Sequence, residues 1–147
     1  MSKTLILCHI VFATKNRNKS ITRDNERDLY AFLYDTIKQS KCWTYRINGM
    51  EDHIHILLDL NPTVSLSDLM KRIKWNSSKW LRGNPNFLRF NGWGEGYFAV
   101  SISPNERDGV VKYIMNQKEH HLKDSFMSEI ETLINAAELK WYPDDWE

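Results

Sequence analysis

Residues 53–60 read His53-Ile54-His55-Ile56-Leu57-Leu58-Asp59-Leu60. Side chains alternate faces along a β-strand, so the even positions form an unbroken apolar row that belongs to a core. His53 and His55 then stand together on the opposite face, with Asp59 farther along it. Two imidazoles about 7 Å apart on one strand can chelate a single metal ion, although a bare His-x-His also describes an ordinary polar strand face. The stretch reads as one arm of a hairpin. Residues 42–49, CWTYRING, form a second strand-like run joined to it through a short turn around Met50 to Asp52.

Working outward, residues 4–14, TLILCHIVFAT, are almost continuously apolar, as a central strand covered on both faces would be. From Asp24 to about Gln39, Leu29, Phe32, Leu33, Tyr34 and Ile37 recur every three or four residues and give one buried helical stripe. Asn61-Pro62 ends the histidine strand. Ser65 or Ser67 then caps a helix running to about Leu81 that carries Leu66, Leu69, Met70 and Ile73. Gly83 and Asn84-Pro85 close it and open a loop to Trp93, after which GYFAVSIS, residues 96–103, is strand-like. The order βαββαβ predicts an α+β chain, a ferredoxin-like (RRM-like) antiparallel sheet with two helices on one face and the other face left open.

The next boundary is the sharpest in the chain. Ser103 suits a cap, Pro104 the first helical position, and Glu106 completes a Ser-x-x-Glu capping box, so a helix is expected over about 104–121. On it Tyr113 and Gln117, four residues apart, project from one side, where a phenol oxygen and an amide oxygen can converge. Val110, Val111 and Ile114 form a stripe able to bury the helix without Tyr113. His120 lies seven residues from Tyr113 and is a rival metal ligand, whereas its place at the helix end also suits a solvent role for His120 and His121. His9, inside the most apolar strand, reads as a satisfied core histidine. A further amphipathic helix, about 123–139, carries Phe126, Ile130, Leu133, Ile134 and Ala137 and can pack on its own chain or on a partner.

The 147 residues suit one domain, and 41% hydrophobic with 27% charged residues exclude a disordered or low-complexity chain. No apolar run approaches the roughly 18 to 20 residues of a spanning helix. Cys8 and Cys42 lack metal or redox spacing and read as free thiols in a reducing, cytoplasmic setting. The formal charge of +1 removes the simplest argument for nucleic acid. Its distribution restores one. Residues 1–23 hold Lys3, Lys15, Arg17, Lys19 and Arg23 with no acid, and residues 71–89 hold Lys71, Arg72, Lys74, Lys79, Arg82 and Arg89 with Trp75 and Trp80 interleaved. Acids instead crowd residues 124–147. Basic groups neutralise phosphates and tryptophans stack on unpaired bases, so Lys15, Arg17, Lys71, Arg72, Lys74, Lys79 and Trp75 are candidate contacts for single-stranded or hairpin nucleic acid. A solvated basic helix face that buries Trp75 or Trp80 explains the same pattern.

Taken together, HIVFATKNR (9–17), HIH (53–55), GYFAVSIS (96–103) and YIMNQKEHH (113–121) resemble the TnpA-like single-tyrosine transposases of small insertion sequences, in the HUH endonuclease superfamily. The resemblance covers nearly the whole chain and implies one nuclease domain over residues 1–147. It implies His53 and His55 as metal ligands, Gln117 as the third, and Tyr113 as nucleophile. It also implies Mg²⁺ or Mn²⁺, a 5′-phosphotyrosine intermediate on single-stranded DNA with hairpin ends, and a homodimer whose active sites are shared between subunits. Two other readings stay open: a domesticated HUH nuclease acting on genomic palindromes, and a ferredoxin-like module that binds nucleic acid without cutting it.

Overall fold

The computed structural model describes residues 1–121 and 125–146. Four strands, β1 (Leu7–Ala13), β2 (Trp43–Met50), β3 (His53–Asp59) and β4 (Phe98–Ser101), form one sheet in the order β2-β3-β1-β4. Every neighbouring pair is antiparallel. With α1 (Glu26–Gln39) after β1 and α2 (Leu66–Arg82) after β3, this is the expected βαββαβ arrangement. The ladder pairs Ile10 with Ile56 and Phe12 with Ile54. These even-numbered side chains meet Leu29, Leu33 and Ile37 of α1 and Leu69, Met70 and Ile73 of α2 in the main core. Each such side chain contributes about 1.5–3 kcal/mol on burial, which fixes the strand register as well as the helix faces.

The other face of the sheet departs from expectation. It is covered, because Val11, Ala13 and Phe98 pack against Phe126, Ile130 and Ile134 of a C-terminal helix, α5 (Phe126–Ala136). The reason is legible in β1, every residue of which is buried, so it demands a layer on each side. Residues 123 and 124 of the helix expected over 123–139 lie outside the described residues. Ser125 caps α5 by accepting from the Ser128 N–H at 3.2 Å.

The helix expected over 104–121 is divided. A 3-10 turn (Pro104–Glu106) leads into α3 (Arg107–Met115), Asn116 interrupts at φ −95° and ψ 20°, and α4 (Gln117–His120) follows. Its start is as expected, the Glu106 carboxylate accepting from the Ser103 N–H at 2.9 Å. Asn48 of β2 fastens its end, donating to the carbonyls of Ile114 at 3.0 Å and Met115 at 3.1 Å, acceptors that a helix C-terminus leaves unmatched. Lys118 reaches the Glu26 carboxylate at 2.8 Å and so ties α4 to α1. The strand expected over 96–103 shortens to four residues because Gly96 takes φ +74°, outside extended geometry. Among the described residues no helix is long and apolar enough to cross a membrane, and Cys8 and Cys42 are buried free thiols.

Gly49 sits where β2 passes closest to the histidine strand: a Cβ there would lie 2.1 Å from the backbone oxygen of His53. Only the absence of a side chain allows that approach. Gly49→Ala is therefore expected to destabilise the fold by about 3 kcal/mol. Denaturant unfolding measures this, and a loss below about 0.5 kcal/mol would show that the hairpin yields freely.

Candidate metal and tyrosine site

The ladder that sends even residues of β3 to the main core turns His53 and His55 to the opposite face, beneath α3, α4 and α5. Both are fully buried, with ring centroids 5.2 Å apart. Their outer nitrogens are engaged: His53 Nδ1 lies 2.7 Å from Asp52 Oδ1, and His55 Nδ1 lies 3.0 Å from His9 Nε2. Such partners fix ring orientation and tautomer, leaving the two Nε2 atoms to face inward. His9 is thus a satisfied buried histidine whose partner is a site residue.

Facing them, Gln117 is fully buried with Oε1 3.2 Å from His53 Nε2, and the Tyr113 ring lies 5.8 Å from that of His55. The break at Asn116 leaves both side chains turned to the histidines. Tyr113 therefore stands beside the histidine pair of its own chain. His120 packs its ring 4.6 Å from that of Tyr113, whereas His121 reaches inward.

The unforeseen member is Glu129 of α5. Its Oε1 lies 3.3 Å from His53 Nε2, 3.3 Å from His55 Nε2 and 2.9 Å from His121 Nε2. Its Oε2 accepts from the Tyr113 hydroxyl and, at 2.9 Å, from the Gln117 amide. Among the described residues, His53, His55 and Glu129 form a group whose ligand atoms all lie within 4.8 Å of one another. Glu129 follows Gln117 by twelve residues on a different helix, and its one sequence signal is an acid at the edge of the Phe126, Ile130, Ile134 stripe. His121, expected at a solvent-facing helix end, has a side chain only 8% exposed. It belongs to the cluster because Glu129 draws it inward.

The electrostatics follow from burial and pairing. Burial opposes charge on His53, yet hydrogen bonds to Asp52 and Glu129 carry its pKa above the ordinary value. Burial dominates for His55 and lowers it to about 4 against the pull of Glu129. His9 falls to about 3, through burial and then the neighbouring His55. Burial alone would raise Glu129 and Asp52, but histidine hydrogen bonds hold both carboxyls below their usual range. Two carboxylates thus stay ionised beside the imidazoles, with charge favoured on His53 and disfavoured on His55. Nitrogen and oxygen donors at these separations fit a hard divalent ion, whose neighbouring ligands stand about 3 Å apart.

The chain belongs to the family described as "Transposase IS200 like", whose sequence profile matches residues 2–117. It is thus one of the transposases, enzymes that cleave and rejoin DNA. It is similar to the ISDra2 transposase TnpA of Deinococcus radiodurans, 24% identical over 116 residues that cover 76% of this chain and 83% of that protein. To the transposase for insertion sequence element IS200 of Salmonella typhimurium it is 28% identical, covering 76% of each chain. The fold is that of a Deinococcus radiodurans R1 crystal structure described as a transposase (TM-score 0.60, 24% identity, 79% of this chain and 93% of that one). It is also that of a REP-associated tyrosine transposase bound to a REP hairpin (TM-score 0.60, 15% identity, 82% of this chain and 74% of that one).

Three of the six basic candidates meet elsewhere, together with Trp75. An open groove of 1510 Å³ is lined by Lys15, Lys71, Lys74, Arg82 and Trp75, and also by the acids Glu95, Asp144 and Asp145. Trp75 is 68% exposed, whereas Trp80 is packed on Phe32 and Phe87. Lys79 lies over Trp75 at 5.8 Å. Lys74 also holds the Gly94 carbonyl at 2.9 Å. Arg72 turns away to Ser40 at 3.1 Å, and Arg17 is not among the groove's lining residues.

His9 and His55 have folded pKa values of about 3 and about 4, below the free value of 6.5. The stability they confer by staying neutral is complete above pH 6.5 and is lost as pH falls through that value toward 4. His53, shifted upward, acts oppositely: its contribution is complete below pH 6.5 and lost at higher pH. The Tm of the metal-free protein should therefore fall between about pH 6.5 and 4, and His9→Gln should flatten that fall. Superimposable pH profiles for the two proteins would remove His9 from the account.

Proposed function

We propose that this transposase cuts and rejoins single-stranded DNA at element ends through a 5′-phosphotyrosine on Tyr113. The observation that carries the reading is the meeting of the Tyr113 hydroxyl, the Gln117 amide and the His53–His55 pair in one pocket of one chain. His53, His55 and Gln117 would hold Mg²⁺ or Mn²⁺, which when bound polarises the scissile phosphate and offsets charge developing on the leaving 3′ oxygen. As the Tyr113 oxygen bonds to phosphorus, the bond to the 3′ oxygen breaks. The phosphodiester energy is kept in the protein–DNA link, so no nucleotide cofactor is needed, and later attack by a 3′-OH rejoins the strand. Residues 1–147 act in this reading as one nuclease domain. The groove beside α2 takes the strand, with Lys15, Lys71 and Lys74 near phosphates and Trp75 stacking on a base; Lys79, Arg17 and Arg72 act from outside it.

Tyr113→Phe is expected to bind hairpin DNA as the wild type does and to form no covalent adduct in Mg²⁺. Adducts at wild-type yield would overturn the nucleophile assignment. His53→Ala should abolish both nicking and Mn²⁺ uptake. Mixing these two variants tests the homodimer with shared sites: adducts reappear only if one subunit's tyrosine serves the other's histidines, and this chain's own pairing of Tyr113 with His55 predicts none.

For the groove, Trp75→Ala should weaken single-strand binding by about 1–3 kcal/mol while leaving metal affinity unchanged. Lys71→Ala should weaken binding evenly across sequences and reduce its salt dependence by about one phosphate contact. Fluorescence anisotropy at several salt concentrations measures both, and wild-type isotherms would clear the groove of DNA. The hairpin bound by the REP-associated neighbour favours a second reading, a nuclease acting on scattered genomic palindromes. Adducts with dispersed palindromes but not with subterminal hairpins would establish that alternative.

A further inference from the structure

The family match ends at residue 117, yet the helix beyond it closes the site. Glu129 is 8% exposed, the one acid of α5 drawn inside; Glu131 on the same helix is exposed. Burying a carboxylate costs several kcal/mol unless it is paired, so its position needs a cause in what it faces. On one side, Oε2 takes hydrogen bonds from Tyr113 and Gln117. On the other, Oε1 faces the Nε2 atoms of His53 and His55, each at 3.3 Å.

Those two nitrogens have their Nδ1 partners in Asp52 and His9. With the Nδ1 atoms engaged by these partners, both Nε2 atoms, together with that of His121 at 2.9 Å, converge on one carboxylate oxygen. Imidazole protons bridge such contacts in the metal-free protein, and a divalent cation can take the place of those protons between Oε1 and the His53 and His55 nitrogens.

We propose that Glu129 is a further ligand of the divalent-cation centre, supplied by α5, with Oε1 completing the His53–His55 pair and Oε2 holding the Tyr113 hydroxyl beside it. The proposal rests on the reading that His53 and His55 bind metal. It gives that centre an anionic oxygen, which two neutral imidazoles and an amide lack, and so favours hard ions such as Mn²⁺ and Mg²⁺. It also gives α5 a chemical role beyond covering the sheet.

The test is Mn²⁺ binding to the full chain without DNA, followed by the electron paramagnetic resonance of free Mn²⁺ and by the rise in Tm at saturating Mn²⁺. Wild type should bind one ion and His53→Ala none. Glu129→Gln, which keeps the side chain's shape and an oxygen for Tyr113, should bind at least about tenfold more weakly, with a correspondingly smaller rise in Tm. Glu129→Asp, whose shorter side chain keeps the charge, should fall between them and carries the test if the glutamine variant is unfolded by circular dichroism. Unchanged affinity in the folded Glu129 variants would overturn the proposal while leaving the histidine reading intact. Tighter binding would overturn it too, showing that the carboxylate competes with the ion for the imidazoles. Failure of the wild type to bind Mn²⁺, or equal binding by His53→Ala, would bring down the histidine reading and this proposal with it.

Discussion

The site depends on the antiparallel ladder between β1 and β3. Pairing Val11 with His55 and Ala13 with His53 sets the two histidines on the same face as the small and branched apolar residues that α5 covers. Because the side-chain period of a strand is two, a slip of one residue would carry both imidazoles into the α1–α2 core and bring Ile54 and Ile56 out. The apolar row on the even face therefore does more than stabilise: it excludes the wrong register and with it the wrong placement of the histidines.

Around that ladder the polar groups form one connected network. Asp52 and His9 hold the histidines from behind; Gln117, Tyr113, His121 and Glu129 meet them in front. In a buried setting such a network is favourable only when its members are satisfied together, so orientation at one position constrains the next. Asn48 extends the constraint outward by fixing the end of α3, one turn from Gln117. The tyrosine is thus placed by the sheet edge through a side-chain clamp at the end of its helix.

Most of the fold was legible because it rests on local periodicity. The alternation in residues 53–60, the stripes of α1 and α2 and the Ser103–Glu106 cap each encode their element within a few residues. His53, His55, Tyr113 and Gln117 were legible as side chains sharing a face. What escaped depends on contacts distant in sequence. Glu129 lies more than seventy residues from the histidines, and helical spacing cannot show that an acid beside an apolar stripe turns inward to meet them. His121 escaped for the same reason, being drawn in by Glu129, while His120, with the better spacing to Tyr113, packs on the tyrosine ring instead. The closed second face of the sheet followed from both sides of β1 being apolar, a signal present in residues 4–14 but set aside by the two-layer expectation.

The charge pattern acquires its meaning in the same way. A near-neutral total conceals a groove lined by Lys15, Lys71, Lys74, Arg82 and Lys140 together with Glu95, Asp144 and Asp145. A strand of phosphates entering it would compete with those acids for the basic side chains. The groove and the buried site share one boundary. Ile134 lines the groove and Glu129 faces the histidines, five residues apart and so about 140° around the same helix. α5 is consequently the partition between the basic surface and the polar cluster, and any rotation of it alters both. That shared wall makes the segment beyond the family match a boundary of both.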